Sequence, residues 1–547
     1  FEWLFTTLFL IISFASTITM ALYFRALLLG AVLSIVTAMY SAFAGLKIGG
    51  VYWSSVTMAV IAMAALNLLG KTNKKEINIA QTVANTGAML AAGVIFTIPA
   101  IWMLGLQVSL LEIFFVSIVG GLAGVIFSVP LRKEMIEREK LPYPDGTATA
   151  AIIEAGDAGG SKAKAVFSMF GIGAVFSLLR DQFGFLPGLL SIDSIKGGFS
   201  RLFSLGTSVS LIPFAGGYLI GPRFTGIWFA GAFLSNLILI PYLVSTAAFA
   251  AKADAAGAIA APLGIGIVIG ASIAYFVLKA LPKLGKIAAD YREMGKSAAR
   301  FFGLAIIALV AVLTAVLQLN ALISVIAIAG AFVMAYVGAR VTGEMNIDPM
   351  ELFAMIVLIA AKLLFGFNAV LLVLLAAVVC IAAGIAGDML QDLRAGFLLG
   401  TDPKQQLYAQ IVGVIAASLV IGTVLFALNS AYTIGSADLP APQAVALSAV
   451  VKADSLSTVL AIGIVIGAIA ALIISFFSSP IAVVAFGIGV YVPITLSFPL
   501  FIGGLLRFWA DRRKWTEKGR LLAAGAIAGE GFIGVVLALI GFAATVL

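Results

Sequence analysis

The sequence predicts an all-α polytopic membrane protein, with about 14–17 transmembrane helices in two homologous repeats that contain broken or re-entrant segments. Three observations predict it. Hydrophobic residues fill 62% of 547 positions and charged residues only 11%, whereas a soluble domain carries about 25% charged residues. Apolar runs extend for ~20 positions at a time, the length of a helical span, without the alternation of barrel strands. Polar, proline- and glycine-rich stretches interrupt those runs, and one such pattern occurs twice.

Candidate spans lie near 3–22, 25–46, 50–70, 78–105, 108–131, 163–184, 203–222, 224–248, 257–281, 299–318, 320–340, 349–365, 366–387, 405–428, 456–476, 479–506 and 521–545. No basic stretch precedes the first run and a second follows at once, which argues against a signal peptide. The net charge of +8 collects in "KTNKKE" (71–76), "RKEMIEREK" (132–140), Lys279 to Arg300 and "RFWADRRKWTEKGR" (507–520). Such loops are expected on the cytoplasmic side, and nucleic acid is not implied. There is no histidine and a single cysteine, Cys380, inside an apolar run. Disulfides, zinc fingers and histidine-bearing triads are thereby excluded, and Cys380 reads as a small packing residue.

The repeat shows in short segments. "LPYPDGTA" (141–148) matches "LPAPQAVA" (439–446) at Leu, Pro, Pro and Ala, 298 residues apart. "GAML" (87–90) lies on "GDML" (387–390), and "SLIPFAGGYL" (210–219) on "SFPLFIGGLL" (497–506). The order is kept and the offset is nearly constant. The organisation expected is an extra N-terminal span at 1–24, a first repeat at 25–250, connecting spans at 251–319 and a second repeat at 320–547. Repeats of this kind are common in secondary transporters, with the substrate site at their interface. A count of nine intervening spans makes the repeats inverted, but then the basic stretch 507–520 faces outward, so parity stays open.

Polar residues at membrane depth mark the candidate site, because lipid satisfies neither freed backbone groups nor charges. In "LPYPDGTATAAIIEAGDAGG" the turn residues Tyr143, Asp145 and Thr147 precede a short run holding Glu154 and Asp157. This predicts a half-helix capped by Asp145 or Thr147; the competing reading is a loop with an amphipathic stub. In "GARVTGEMNIDPMELF" (338–353), Glu344 and Asn346 stand at the end of an apolar span. Asp348, Pro349 and Glu351 are expected as N-cap, N1 and N3 of the next helix, and Asp402 and Gln405 repeat the arrangement. In "GIAGDMLQDLRAGFLLG" (384–400), Asp388, Gln391 and Asp392 are spaced i, i+3, i+4 and share one helix face. They mark an ion or substrate path, or else a helix end emerging into water. The corresponding early segment offers Gln81, Asn85 and Thr86. Lys47 and Glu530 are isolated charges flanked by glycine, while Glu112 and Lys362 are expected to snorkel.

"AGLKIGG" (44–50), "NTGAMLAAGVIFTIPA" (85–100), "LPYPDGTA", "GDMLQDLRAGFLLGTDPKQQ" (387–406), "LPAPQA" and "FIGGLLRFWADRR…GRLLAAGAIAGEG" (501–531) resemble the oligopeptide transporter (OPT) family in its prokaryotic branch, related to yellow-stripe-like metal-chelate carriers. The resemblance runs from about residue 25 to the C-terminus. It implies a cell-membrane, multi-pass secondary transporter without a cofactor, not an enzyme. The expected activity is proton-coupled uptake of small oligopeptides by alternating access; the alternative substrate is a metal–chelator complex, siderophore or nicotianamine-like. The expected partners are that substrate, a coupling cation, the lipid bilayer and a second copy of the chain in a homo-oligomer. Without histidine, a proton site has to be a carboxylate: Glu154, Glu344, Asp388, Asp392 or Glu530. An intramembrane protease built on Asp388 and Asp392 is the reading from another class, and a channel a third.

Overall fold

The computed structural model describes residues 2–546 apart from 52–53, 157–160, 192–201, 204–205, 284–295, 316–317, 319, 347, 349, 367, 437, 453–457 and 478–479. The described chain is helical almost throughout, with one two-stranded antiparallel ribbon, Leu189–Ser191 against Gly206–Ser208. Among the described residues, twelve helices are long and apolar enough to cross a membrane. Four shorter apolar helices accompany them: Ser55–Leu68, Leu211–Ile220, Phe302–Ala315 and Ala482–Tyr491. The first two expected spans are one helix, Glu2–Ile48, with non-helical backbone at Tyr23.

The chain forms two compact units, each drawing on both halves of the sequence. One comprises residues 1–42, 53–164 and 285–426; the other comprises 43–52, 165–284 and 427–547. The first is built on helix Ala369–Leu399, in which every residue from Leu372 to Leu393 is buried. A helix apolar on all sides is one enclosed by other helices. Its neighbours come close because they present glycines. A Cβ at Gly120 would lie 2.8 Å from Ile381 Cβ, and one at Gly124 would lie 2.6 Å from the Ala382 carbonyl oxygen.

The second unit uses the same device with matched pairs. Gly266 and Gly270 of helix Ala261–Tyr275 face the backbone of helix Thr458–Ser475, whose Gly463 and Gly467 face back. Lipid tails are as apolar as leucine, so such helices associate through close packing of small residues. The repeated segments 210–219 and 497–506 also meet here: a Cβ at Gly217 would strike the Leu500 carbonyl, and one at Gly503 the Phe214 carbonyl.

The two proline motifs have the same local structure. Tyr143 (φ 41°) and Ala441 (φ 46°) are left-handed, and each precedes a proline that starts an 11-residue helix, Pro144–Glu154 or Pro442–Lys452. Each left-handed residue donates its N–H to the end of another helix within its own unit. Tyr143 N–H reaches the Gly343 carbonyl at 3.1 Å, and Ala441 N–H the Leu46 carbonyl at 2.7 Å. Gly343 and Leu46 lie at equivalent places, because helices Ala321–Met345 and Glu2–Ile48 both end before a left-handed residue, Asn346 or Gly49. The segments are therefore broken, as expected, and anchored by protein backbone.

Three expectations about helix starts are corrected. Neither Asp145 nor Thr147 caps Pro144–Glu154. Its N-cap is Tyr143 without a side-chain bond, and Pro144 takes the first position because its fixed φ suits it. Glu112 does not snorkel; it closes a capping box with Ser109. Asp348 does not cap helix Met350–Phe365, since both its carboxylate oxygens are buried and, among the described residues, have no hydrogen-bond partner. It turns instead into space left by Gly338 and Gly387. Asp402 behaves as expected and accepts the Lys404 N–H at 2.9 Å.

Replacing Gly270 or Gly467 by leucine is expected to destabilise the second unit by about 1–3 kcal/mol or more, the usual cost of overpacking. Gly226→Leu, at a position where a Cβ meets nothing within 4 Å, serves as the control. Thermal unfolding in detergent measures both, and equal melting temperatures for the three variants would refute the close-packing account.

Candidate functional site

Helix Ala369–Leu399 carries the first cluster. Asp388, Gln391 and Asp392 are all fully buried, so this stretch is not a helix end entering water. Asp388 Oδ1 accepts a hydrogen bond from Asn85 Nδ2, and its Oδ2 accepts one from Gln410 Nε2 at 2.9 Å. Asn85 is fixed in turn by Ser54, whose N–H donates to Asn85 Oδ1 at 3.1 Å, and by the Ser55 hydroxyl, which accepts from Asn85 Nδ2 at 2.9 Å. Asp392 Oδ1 accepts from Gln81 Nε2 at 2.6 Å, while its Oδ2 is buried and has no partner among the described residues. Gln406 Nε2 donates to the Asp392 main-chain carbonyl at 2.6 Å.

The two acids are thus solvated by neutral amides from helices Lys74–Ile95 and Pro403–Tyr432. Among the described residues, no ion pair includes either one. Gln391 faces another way. Its Oε1 accepts the Gly146 N–H at 2.8 Å, and its Nε2 donates to Asn346 Oδ1 at 2.7 Å. Asn346 Nδ2 donates to Asp145 Oδ1 at 3.1 Å. Asp145, Asn346 and Gln391 therefore tie the first proline segment to the acid-bearing helix.

The second cluster lies in the other unit and is solvated by charge. Glu530, fully buried, accepts from Arg180 Nη1 at 2.7 Å, Ser210 Oγ at 2.6 Å and the Leu211 N–H at 2.7 Å. Arg180 also donates through Nε and Nη2 to Asp181, at 2.7 Å each. A π-helical turn, Leu178–Gln182, brings these two adjacent residues into the same network. Lys47 Nζ stands 3.6 Å from Glu530 Oε1 and 4.9 Å over the Phe43 ring.

Of the remaining predicted residues, Tyr143, Thr147, Glu154 and Glu344 have partners outside both clusters. Tyr143 is buried, and its hydroxyl donates to the Ala339 carbonyl at 3.0 Å; burial pushes its phenol well above the usual tyrosine range. Thr147 Oγ1 donates to the Pro142 carbonyl at 2.7 Å. Glu154 is exposed and pairs with Lys74 at 3.6 Å. Glu344 is exposed and pairs with Arg340 at 3.2 Å. Asp157 lies outside the described residues.

Sequence reasoning missed Gln410, Ser54, Ser55, Arg180, Asp181 and Ser210. One signal was available for Gln406 and Gln410, whose i, i+4 spacing places both on one face of a span. Another was the adjacent Arg180 and Asp181 at the end of an apolar run.

The family model of the OPT oligopeptide transporter protein matches residues 21–289 and 284–540. The chain belongs to the OPT family. It is a multi-pass membrane transporter, and two relatives carry transporter names. A Haemophilus influenzae protein named "Putative oligopeptide transporter" is 27% identical in an alignment 591 positions long that covers 91% of this chain and 92% of that one. "Putative oligopeptide transporter YGL114W" of Saccharomyces cerevisiae is 24% identical over 266 residues, 43% of this chain and 34% of that one. The protease reading falls with the family.

Glu530→Gln is expected to destabilise the second unit by about 3–5 kcal/mol, because it leaves Arg180 and Lys47 to share Asp181 as the countercharge of the network. Lys47→Met, which keeps the Glu530–Arg180 pair, is expected to cost much less. Thermal melts of both variants check this, and a larger loss for Lys47→Met would show that Lys47 rather than Arg180 is the cation on which the buried acid depends.

Proposed function

We propose that the chain is a secondary active transporter that takes up small oligopeptides across the cytoplasmic membrane by alternating access, driven by protons. The observation that carries the coupling is the Asp388–Asp392 cluster, where two buried carboxyls are met by amides and, among the described residues, by no cation. Two ionised groups one helical turn apart in a low-dielectric interior repel each other and lose their hydration. A proton removes both costs, and the amides orient the oxygens that exchange it. Family membership and the printed names of the two relatives support the peptide substrate.

In this reading the Glu530–Arg180–Asp181 network is the fixed counterpart. Its two carboxylates outnumber its one guanidinium, and Lys47, 3.6 Å from Glu530, balances the charge in place and offers its ammonium to the carboxylate of a peptide. The repeat limits that we propose, 25–250 and 320–547, place Asp388 and Asp392 in the second repeat and their respective amide partners Asn85 and Gln81 in the first. A shift of the first-repeat helix Lys74–Ile95 against helix Ala369–Leu399 within their unit would change the solvation of both acids.

Purified protein in liposomes tests the proposal. Asp388→Asn and Asp392→Asn are expected to keep exchange of preloaded peptide but to lose accumulation driven by a pH gradient in at least one case. Wild-type accumulation that survives collapse of the pH gradient, or normal coupling in both variants, would overturn it. The same vesicles offered a chelated iron complex in place of peptide decide between the two substrate classes.

A further inference from the structure

The acid that failed to cap its helix has an environment of its own. Asp348 precedes helix Met350–Phe365, and its side chain is enclosed between helices Ala321–Met345 and Ala369–Leu399. The two helices leave room for it by having no side chain at the facing positions. A Cβ at Gly387 would strike Asp348 Oδ2 and lie 2.8 Å from Thr342 Oγ1; one at Gly338 would lie 3.2 Å from Asp348 Oδ1. Among the described residues, neither carboxylate oxygen nor the fully buried Thr342 hydroxyl makes a hydrogen bond within normal geometry.

The Thr342 hydroxyl is the one donor this cluster of three buried oxygens contains, which leaves an ionised carboxylate poorly solvated, and an under-solvated buried charge is among the costliest groups in a protein. The charged and titratable groups around it offer no compensation. Arg340 on helix Ala321–Met345 is bound by Glu139 and Glu344. Glu351 on the following helix and Asp388 on helix Ala369–Leu399 are acids, and Cys380 is a buried thiol. Burial, with Glu351 adding to it, holds the Asp348 carboxyl well above the ordinary carboxylate range. A sodium ion would want about six oxygens with carbonyls among them, by analogy with other hard cations, more than converge here. A carboxylic acid O–H needs one acceptor, and the Thr342 hydroxyl supplies it.

We propose that Asp348 and Thr342 form a second proton-binding site in this unit, beside the Asp388–Asp392 pair, and that its proton is one of those exchanged in the transport cycle. The site is built from the end of one helix and the glycine gaps of two others. Gly387 is the chain neighbour of Asp388, so a shift of helix Ala369–Leu399 that resolvates one acid moves the wall of the other.

Infrared spectroscopy tests the site without reference to transport. Wild-type protein at neutral pH is expected to show a protonated-carboxyl C=O band with a component missing in Asp348→Asn and retained in Asp402→Asn. Thr342→Val and Gly387→Ala keep the carboxyl but change its surroundings, so they are expected to shift that component, and they stand in should Asp348→Asn not fold. An unchanged band in all three overturns the site, as does a sodium-dependent loss of the band in the wild type.

The role in transport rests on the proton-coupled function proposed for the Asp388–Asp392 pair. One coupled proton fewer lowers the accumulation ratio about tenfold per pH unit of gradient, with exchange of preloaded peptide preserved. Wild-type accumulation in Asp348→Asn overturns the role in the cycle. Should wild-type protein ignore the pH gradient, the general proposal fails instead, while the infrared result still decides whether Asp348 holds a proton.

Discussion

A carboxyl group placed in the middle of a helix buried on all sides has to be solvated by the protein itself. That constraint organises the first unit. Helix Ala369–Leu399 is enclosed from Leu372 to Leu393, and Asp388 and Asp392 sit inside that length. Asn85, Gln81, Gln406 and Gln410 are where they are because the two acids and their backbone need donors that lipid does not provide. Two of these amides are supported in turn, Asn85 by Ser54 and Ser55, Gln81 by Asn78.

The second unit meets the same constraint by another route. Glu530 is as deeply buried as Asp388, yet it is held by Arg180, a serine hydroxyl and a backbone N–H. A balanced ion network is expensive to break and therefore static. An acid held only by neutral amides has a cheap alternative, which is to take a proton. The contrast between the two solvation modes is what directs the coupling proposal to Asp388 and Asp392 rather than to Glu530.

Both arrangements depend on how closely the helices approach. Glycines let backbone meet backbone at the paired segments 210–219 and 497–506 and along the Gly266, Gly270, Gly463 and Gly467 faces. The same property, a missing side chain at Gly338 and Gly387, admits the Asp348 carboxyl between two helices. The proline motifs complete the frame. Their left-handed residues, Tyr143 and Ala441, hydrogen-bond to helix ends and so satisfy backbone that a break would otherwise expose.

The sequence by itself determined the class, the family and the location of the breaks. Hydropathy over ~20 residues is a one-dimensional property, and a proline pair breaks a helix wherever it stands. The i, i+3, i+4 spacing likewise put Asp388, Gln391 and Asp392 near one face before any neighbour was known. Only the tertiary structure decided which partners those residues meet. Asn85 and Asp388 are 303 positions apart, and Arg180 and Glu530 are 350 apart, so no local pattern joins them. Asp348 shows the limit best. Its sequence context is that of an ordinary helix cap, and what turned it inward is space on two other helices, at Gly338 and Gly387. Glu154 and Glu344 show the converse, because acids beside apolar runs are exposed or buried according to how the helix ends are placed. Spacing fixes the face of a helix; packing fixes what that face meets.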